Sequence, residues 1–89
     1  MRTEPVEIFS DATNAAIMRH PDRRFPGILV QGDTLYSMFR RADAACRGAD
    51  RSSEAYADLN ELRNYLWELL AHYNSVLREH DLPPLFSEP

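Results

Sequence analysis

Asn14, Arg24, Phe25, Gln31 and Asp33 are the residues of this chain whose side chains are suited to gripping a ligand. An arginine presents a planar fork that holds carboxylate or phosphate through two parallel hydrogen bonds, and the amides of asparagine and glutamine both donate and accept. If the segment carrying Arg24 and Gln31 folds back toward Asn14, these groups converge with Asp33 into a polar corner. Gln31-Gly32-Asp33-Thr34 also joins a strand-like run to a helix start, where free amides and the helix dipole attract anions. Two features argue against a phosphate there. A single glycine is no phosphate-loop signature, and Asp33 puts its own carboxylate where the ligand's charge must sit. The expectation is an internal Arg–Asp clamp with Asp33 as helix N-cap; a small-ligand or nucleotide site is the alternative.

The remaining candidates for chemistry are sparse. His20, His72 and His80 are widely spaced, and Glu68/His72 at i, i+4 lacks the second histidine of a zinc helix. No metal site and no cofactor is expected. Cys46 is the single cysteine, which rules out an internal disulfide or a multi-cysteine zinc site. It shares an apolar helical stripe with Ala42 and Ala49, which favours a buried thiol over a nucleophile. No serine has a histidine and a carboxylate at a spacing that suggests a triad, so enzymatic activity is not expected. Arg19, Arg23, Arg24, Arg40 and Arg41, with Phe25 and Tyr36 for stacking, could form a nucleic-acid patch. Asp22, Asp33 and Asp43 among them, and a net charge of −4, argue against it.

These residues must be positioned by a small number of elements. Val6-Glu7-Ile8-Phe9 begins in strand-like alternation, and Ser10-Asp11-Ala12-Thr13-Asn14 supplies turn residues that bond their own backbone. Ala15–Arg19 is a second strand candidate, and His20-Pro21-Asp22-Arg23 is a turn with proline preset at its second position. Ile28–Gln31, bounded by Gly27 and Gly32, is a third strand. The expectation is a three-stranded antiparallel β-meander over residues 1–32.

After Gly32 the apolar period changes from two to about 3.6. Leu35, Met38, Phe39, Ala42, Ala45, Cys46 and Ala49 share one face of a helix over 33–48, capped by Asp33 or Thr34 and ended by Gly48. Asp50, Ser52 or Ser53 caps a second helix over 52–80, and Pro83-Pro84 in the tail 81–89 prevents its extension. The fold class is α+β, a single domain over 1–89 in which an antiparallel helical hairpin follows the meander.

The second helix is apolar over more of its circumference than one neighbour can cover. Leu59, Leu62, Leu66, Leu69, Tyr73, Val76 and His80 follow a seven-residue repeat. Leu70 and Leu77 widen it, with Trp67 and Tyr56 on one shoulder and Tyr65 and His72 on the other. The arc reaches about 200°, against roughly 100° for a helix lying on a single core. The first helix covers one side. A second protomer is the favoured cover for the rest, giving a homodimer through Leu59, Leu66, Trp67 and Tyr73; the alternative is that the meander and the tail Leu82–Phe86 fold over it.

The stretch Arg19-His20-Pro21-Asp22-Arg23-Arg24-Phe25-Pro26-Gly27-Ile28-Leu29-Val30-Gln31-Gly32-Asp33-Thr34-Leu35, preceded by Asn14-Ala15-Ala16, resembles an uncharacterised family of short bacterial proteins. That family's pattern runs Asn-x-Ala, Arg-x-Pro, Arg-Phe-Pro-Gly and Gln-Gly-Asp-x-Leu. The resemblance implies membership without a function. It adds weight to Asn14, Arg24, Phe25, Gln31 and Asp33, which stand where the pattern is polar or aromatic.

Whole-chain properties bound the function. At 89 residues, with 44% hydrophobic and 27% charged residues, the chain is near the size at which one core leaves little margin over chain entropy. It has no apolar run of the roughly 20 residues a membrane helix needs, and no apolar segment follows its N-terminal charge, so a cytoplasmic location is expected. Residues 1–48 hold seven arginines against six acids, and residues 49–89 hold three against eight. All ten bases are arginine, as a codon bias would produce. A small acidic chain without catalytic constellations fits a non-catalytic protein-interaction module with an unknown protein partner, an immunity-type protein that masks a basic toxin being one form.

Overall fold

Where the period changes from two to 3.6, the chain divides into two units, Met1–Gln31 and Gly32–Pro89. A computed structural model of the chain describes residues 1–84 and 86. The tail position Leu85 and residues 87–89 lie outside the described residues.

The first unit is a three-stranded antiparallel sheet in the order β1-β2-β3, formed by β1 (Glu7–Ser10), β2 (Ala16–Arg19) and β3 (Gly27–Leu29). In register, Ile8 faces Met18, Ile17 faces Ile28 and Ala16 faces Leu29. Phe9 is an extra residue in β1, since Ile8 pairs with Met18 and Ser10 with Ile17; such a bulge bends the strand and increases its twist. The cross-strand pair Glu7 and Arg19 is bridged, one guanidinium nitrogen donating to both carboxylate oxygens at 2.8 and 2.7 Å. The turn residues act as expected. Thr13 Oγ1 donates to Ala15 O and accepts from Ala15 N, and Arg23 N donates to His20 O across Pro21-Asp22 at 3.0 Å. None of residues 1–31 is buried.

The second unit is a pair of helices, α1 (Gly32–Gly48) and α2 (Glu54–Glu79). Asp43 meets Arg63, Phe39 meets Trp67 and Gly32 lies under Tyr73, so the helices run antiparallel. Among the described residues Ala42, Cys46, Leu70 and Phe86 are the buried apolar ones, and fully burying a leucine such as Leu70 stabilises by about 1.5–3 kcal/mol. Phe86 folds back onto the pair. Its ring stacks on Tyr36 with centroids 4.4 Å apart and tilts against Trp67 at 6.0 Å, while the buried Asn74 amide donates to its carbonyl at 3.2 Å. The described part of the tail thus covers some of the excess apolar arc. Among the described residues no helix is long and apolar enough to cross a membrane.

The helix ends differ from expectation in two places. Asp33 is not the N-cap. α1 starts at Gly32, whose lack of a Cβ leaves room for the Tyr73 ring, and Asp33 falls in the first turn with its carboxylate accepting from Thr34 N at 2.8 Å. Gly48 does not terminate α1 in a left-handed conformation. None of the three glycines has positive φ, and α1 closes with a tightened bond from Ala49 N to Cys46 O. The next turn is organised instead by Asp50, whose carboxylate accepts from the backbone and hydroxyl of Ser52.

Of the three cap candidates for α2, Ser53 takes the role, its Oγ accepting from Tyr56 N at 3.1 Å. The left-handed residue is at the far end of this helix. Asp81, at φ 58°, lets its own N–H reach Arg78 O and that of Leu82 reach Leu77 O, which satisfies carbonyls the last turn would leave open.

Candidate functional site

The five residues singled out for ligand binding are distributed over both units. Asn14 is exposed in the β1–β2 connection, and Gln31 is exposed at the end of the first unit. Arg24 and Phe25 are brought together, the guanidinium lying 5.4 Å from the ring centroid, a cation–π arrangement between two exposed side chains. Asp33 belongs to the second unit, where it serves the first turn of α1. It also borders shallow depressions with Ser37 and Arg41, one of which extends to Tyr36 and Arg40; every lining residue comes from α1 itself. These depressions are open surfaces of one helix, in which Arg40 and Arg41 share the lining with Asp33. The first unit carries a mainly apolar cleft lined by Val6, Met18, Phe25, Ile28 and Leu29 together with Gly27, His20 and Arg23. Arg23, rather than Arg24, contributes to it.

A polar trio in the first unit escapes sequence inspection. Glu4, His20 and Asp22 bring candidate ligand atoms within 4.8 Å of one another on an exposed surface. Its geometry argues for hydrogen bonding rather than metal ligation. His20 Nδ1 accepts from Asp22 N at 3.2 Å, so a neutral ring carries its proton on Nε2 and offers a donor there. Glu4 is already paired with Arg2 at 2.9 Å. The signal in the sequence was the His-Pro-Asp turn, which places the imidazole over its own backbone.

Several other polar or reactive residues have structural contacts. Cys46 is buried between the helices. Arg19 is held by Glu7 and lies 5.8 Å from the Phe9 ring centroid; Arg40 lies over Tyr36. Asp50 titrates below the ordinary carboxylate value, because the Ser52 backbone N–H and then the Ser52 hydroxyl stabilise the charged form. His80 meets the end of its helix through its backbone N–H, which donates to Val76 O and Leu77 O.

On α2 the apolar residues separate into two sets. Leu59, Leu66, Trp67 and Tyr73 are half-buried: Trp67 packs with Phe39 and Phe86, and Tyr73 lies over Gly32. Leu62, Tyr65 and Leu69 retain 51%, 60% and 43% of their surface exposed. Spaced i, i+3 and i+7, these three form one stripe about 10 Å long. Exposed carboxylates of Asp58, Glu61 and Glu68 edge it, and Asp58, Glu61, Leu62 and Tyr65 together line a surface depression. Arg63 is turned away, toward Asp43 of α1 at 3.5 Å and toward the side-chain oxygen of Asn60. The seven-residue repeat includes Leu62 and Leu69, with Tyr65 on its shoulder, and the pattern contains no sign of which side α1 covers.

Residues 1–86 match a family of unknown function, DUF6959. Comparison with curated proteins finds no match, and comparison with solved structures finds none.

Proposed function

We propose that the chain, which belongs to that family, is a non-catalytic protein-interaction module that engages its partner through the outer face of α2. The carrying observation is the exposed stripe Leu62, Tyr65 and Leu69 edged by Asp58, Glu61 and Glu68. Three large apolar side chains in one contiguous stripe are anchors of the kind an interface uses. The absence of catalytic spacing in the sequence supports a binding role over an enzymatic one. An immunity-type protein that occludes a basic enzyme or toxin is one specific form of this proposal, supported by small size and by the charge of the helical unit, which holds ten acids against six arginines.

Affinity capture from native lysate with the tagged full chain tests it. The expected result is a stoichiometric partner retained by the wild type and lost with the surface variant Leu62→Asp/Leu69→Asp, whose far-UV circular dichroism is unchanged. Equal capture by both proteins refutes the assignment to this face.

A further inference from the structure

We infer that the partner element seated on the outer face of α2 is a cationic amphipathic helix. This rests on the interaction face assigned above and adds the chemistry of its occupant. Leu62, Tyr65 and Leu69 lie in the i, i+3, i+7 pattern by which one helix presents anchors to another. The formal charges beside them are of a single sign, the exposed His72 on the Tyr65 shoulder being the one ionisable base there. Asp58, Glu61 and Glu68 are exposed along the stripe, whereas Arg63 is engaged with Asp43 and Asn60, and Arg78 projects about 160° around the axis from Leu62.

Charge decides between the possible occupants. A second copy of the same face would bring three more carboxylates against these three and add no guanidinium, and like charges facing across an interface are unfavourable. Anionic lipid and nucleic acid are repelled by the same field. A helix with apolar residues every three or four positions and lysine or arginine beside them covers the stripe and pairs with the carboxylates at its rim. Exposed ion pairs contribute only about 0.2–1 kcal/mol each, so the leucines and the tyrosine supply the contact and the carboxylates select the partner's sign.

The test uses the full chain, isotope-labelled, and three synthetic peptides of about 18 residues, or five helical turns. One has leucines in helical spacing and lysines elsewhere, the second is its scrambled composition, and the third replaces lysine by glutamate. The expected result is that the patterned lysine peptide shifts amide resonances around Leu62, Tyr65 and Leu69. Its affinity should fall about tenfold in Glu61→Gln/Glu68→Gln, equivalent to losing two surface pairs, and should fall with added salt. Equal binding of the scrambled peptide, or unchanged affinity in the glutamine variant, overturns the inference. Light scattering of the free chain separates this failure from that of the face itself. If the protein is a dimer that Leu62→Ala/Leu69→Ala dissociates, the face is an interface and its occupant is a second copy. If no peptide binds and those substitutions alter neither mass nor partner capture, both the cationic helix and the face assignment fall.

Discussion

Replacing Gly32 by alanine should destabilise the helical unit, although alanine is the better helix former. A Cβ at this position would stand 2.5 Å from Tyr73 Cζ, 2.6 Å from its hydroxyl oxygen and 2.9 Å from Cε1. Carbon atoms in contact prefer about 3.5–4.0 Å, so the ring must retreat by about 1 Å. Overpacking of this kind costs about 1–3 kcal/mol, while the helix-propensity gain is at most about 1 kcal/mol and smaller in the first turn. The net expectation is a loss of about 1–2 kcal/mol, which for a chain of this size lowers Tm by roughly 4–8 °C per kcal/mol. The assay is urea unfolding followed by fluorescence of Trp67, the single tryptophan, with far-UV circular dichroism in parallel. The decisive control is the same substitution in a Tyr73→Ala background, where the obstructing ring is gone and Gly32→Ala should become neutral or stabilising by roughly 0.5–1 kcal/mol. A double-mutant cycle then shows coupling of about 1–3 kcal/mol between the two sites. Equal cost in both backgrounds, or a gain in the Tyr73 protein, refutes the steric reasoning.

Ser53→Ala removes the N-cap of α2 and should cost about 1 kcal/mol; the same change at Ser52 should cost less, and equal effects in urea titration would contradict the cap assignment. Asp81→Gly should stabilise by about 0.5–1 kcal/mol, because a glycine at φ 58° carries no Cβ penalty, whereas Asp81→Ala should bring no gain. The Asp50 carboxyl is held below its ordinary value of 3.8 by Ser52. With its folded pKa below the unfolded one, its stabilisation is present above the unfolded value and is lost as pH falls through the folded value. Asp50→Asn should therefore flatten the stability–pH curve below about pH 4, and identical slopes for the two proteins would exclude this origin.

Local chemistry made much of the fold legible. The His20-Pro21-Asp22-Arg23 turn follows from a proline with preset φ, and the Thr13 bonds follow from a short hydroxyl side chain that reaches its own backbone. The two helices follow from the change of period after Gly32, and Ser53 stood among the three residues able to cap the second. Gly48 is the last residue of α1 as expected but without a left-handed φ, and the helix starts before Asp33. A residue's own preference for a cap does not fix the helix boundary: α1 starts at Gly32, with Asp33 in its first turn, and the turn after it is organised by Asp50. Of the polar corner, Arg24 and Gln31 belong to the first unit and Asp33 to the second, a division that sequence neighbourhood does not reveal.

Period and composition by themselves determined the succession of strands and helices, the antiparallel pairing of neighbours across short turns, and an apolar arc on α2 wider than one helix covers. Only the tertiary structure decided that Leu70 and Trp67 turn inward while Leu62, Tyr65 and Leu69 face outward. A helix with apolar residues over about 200° of its circumference reads the same whichever side is buried. The choice is made by packing against α1, where Phe39 meets Trp67 and Asp43 meets Arg63, and by Phe86, whose ring fills the space beside Tyr36.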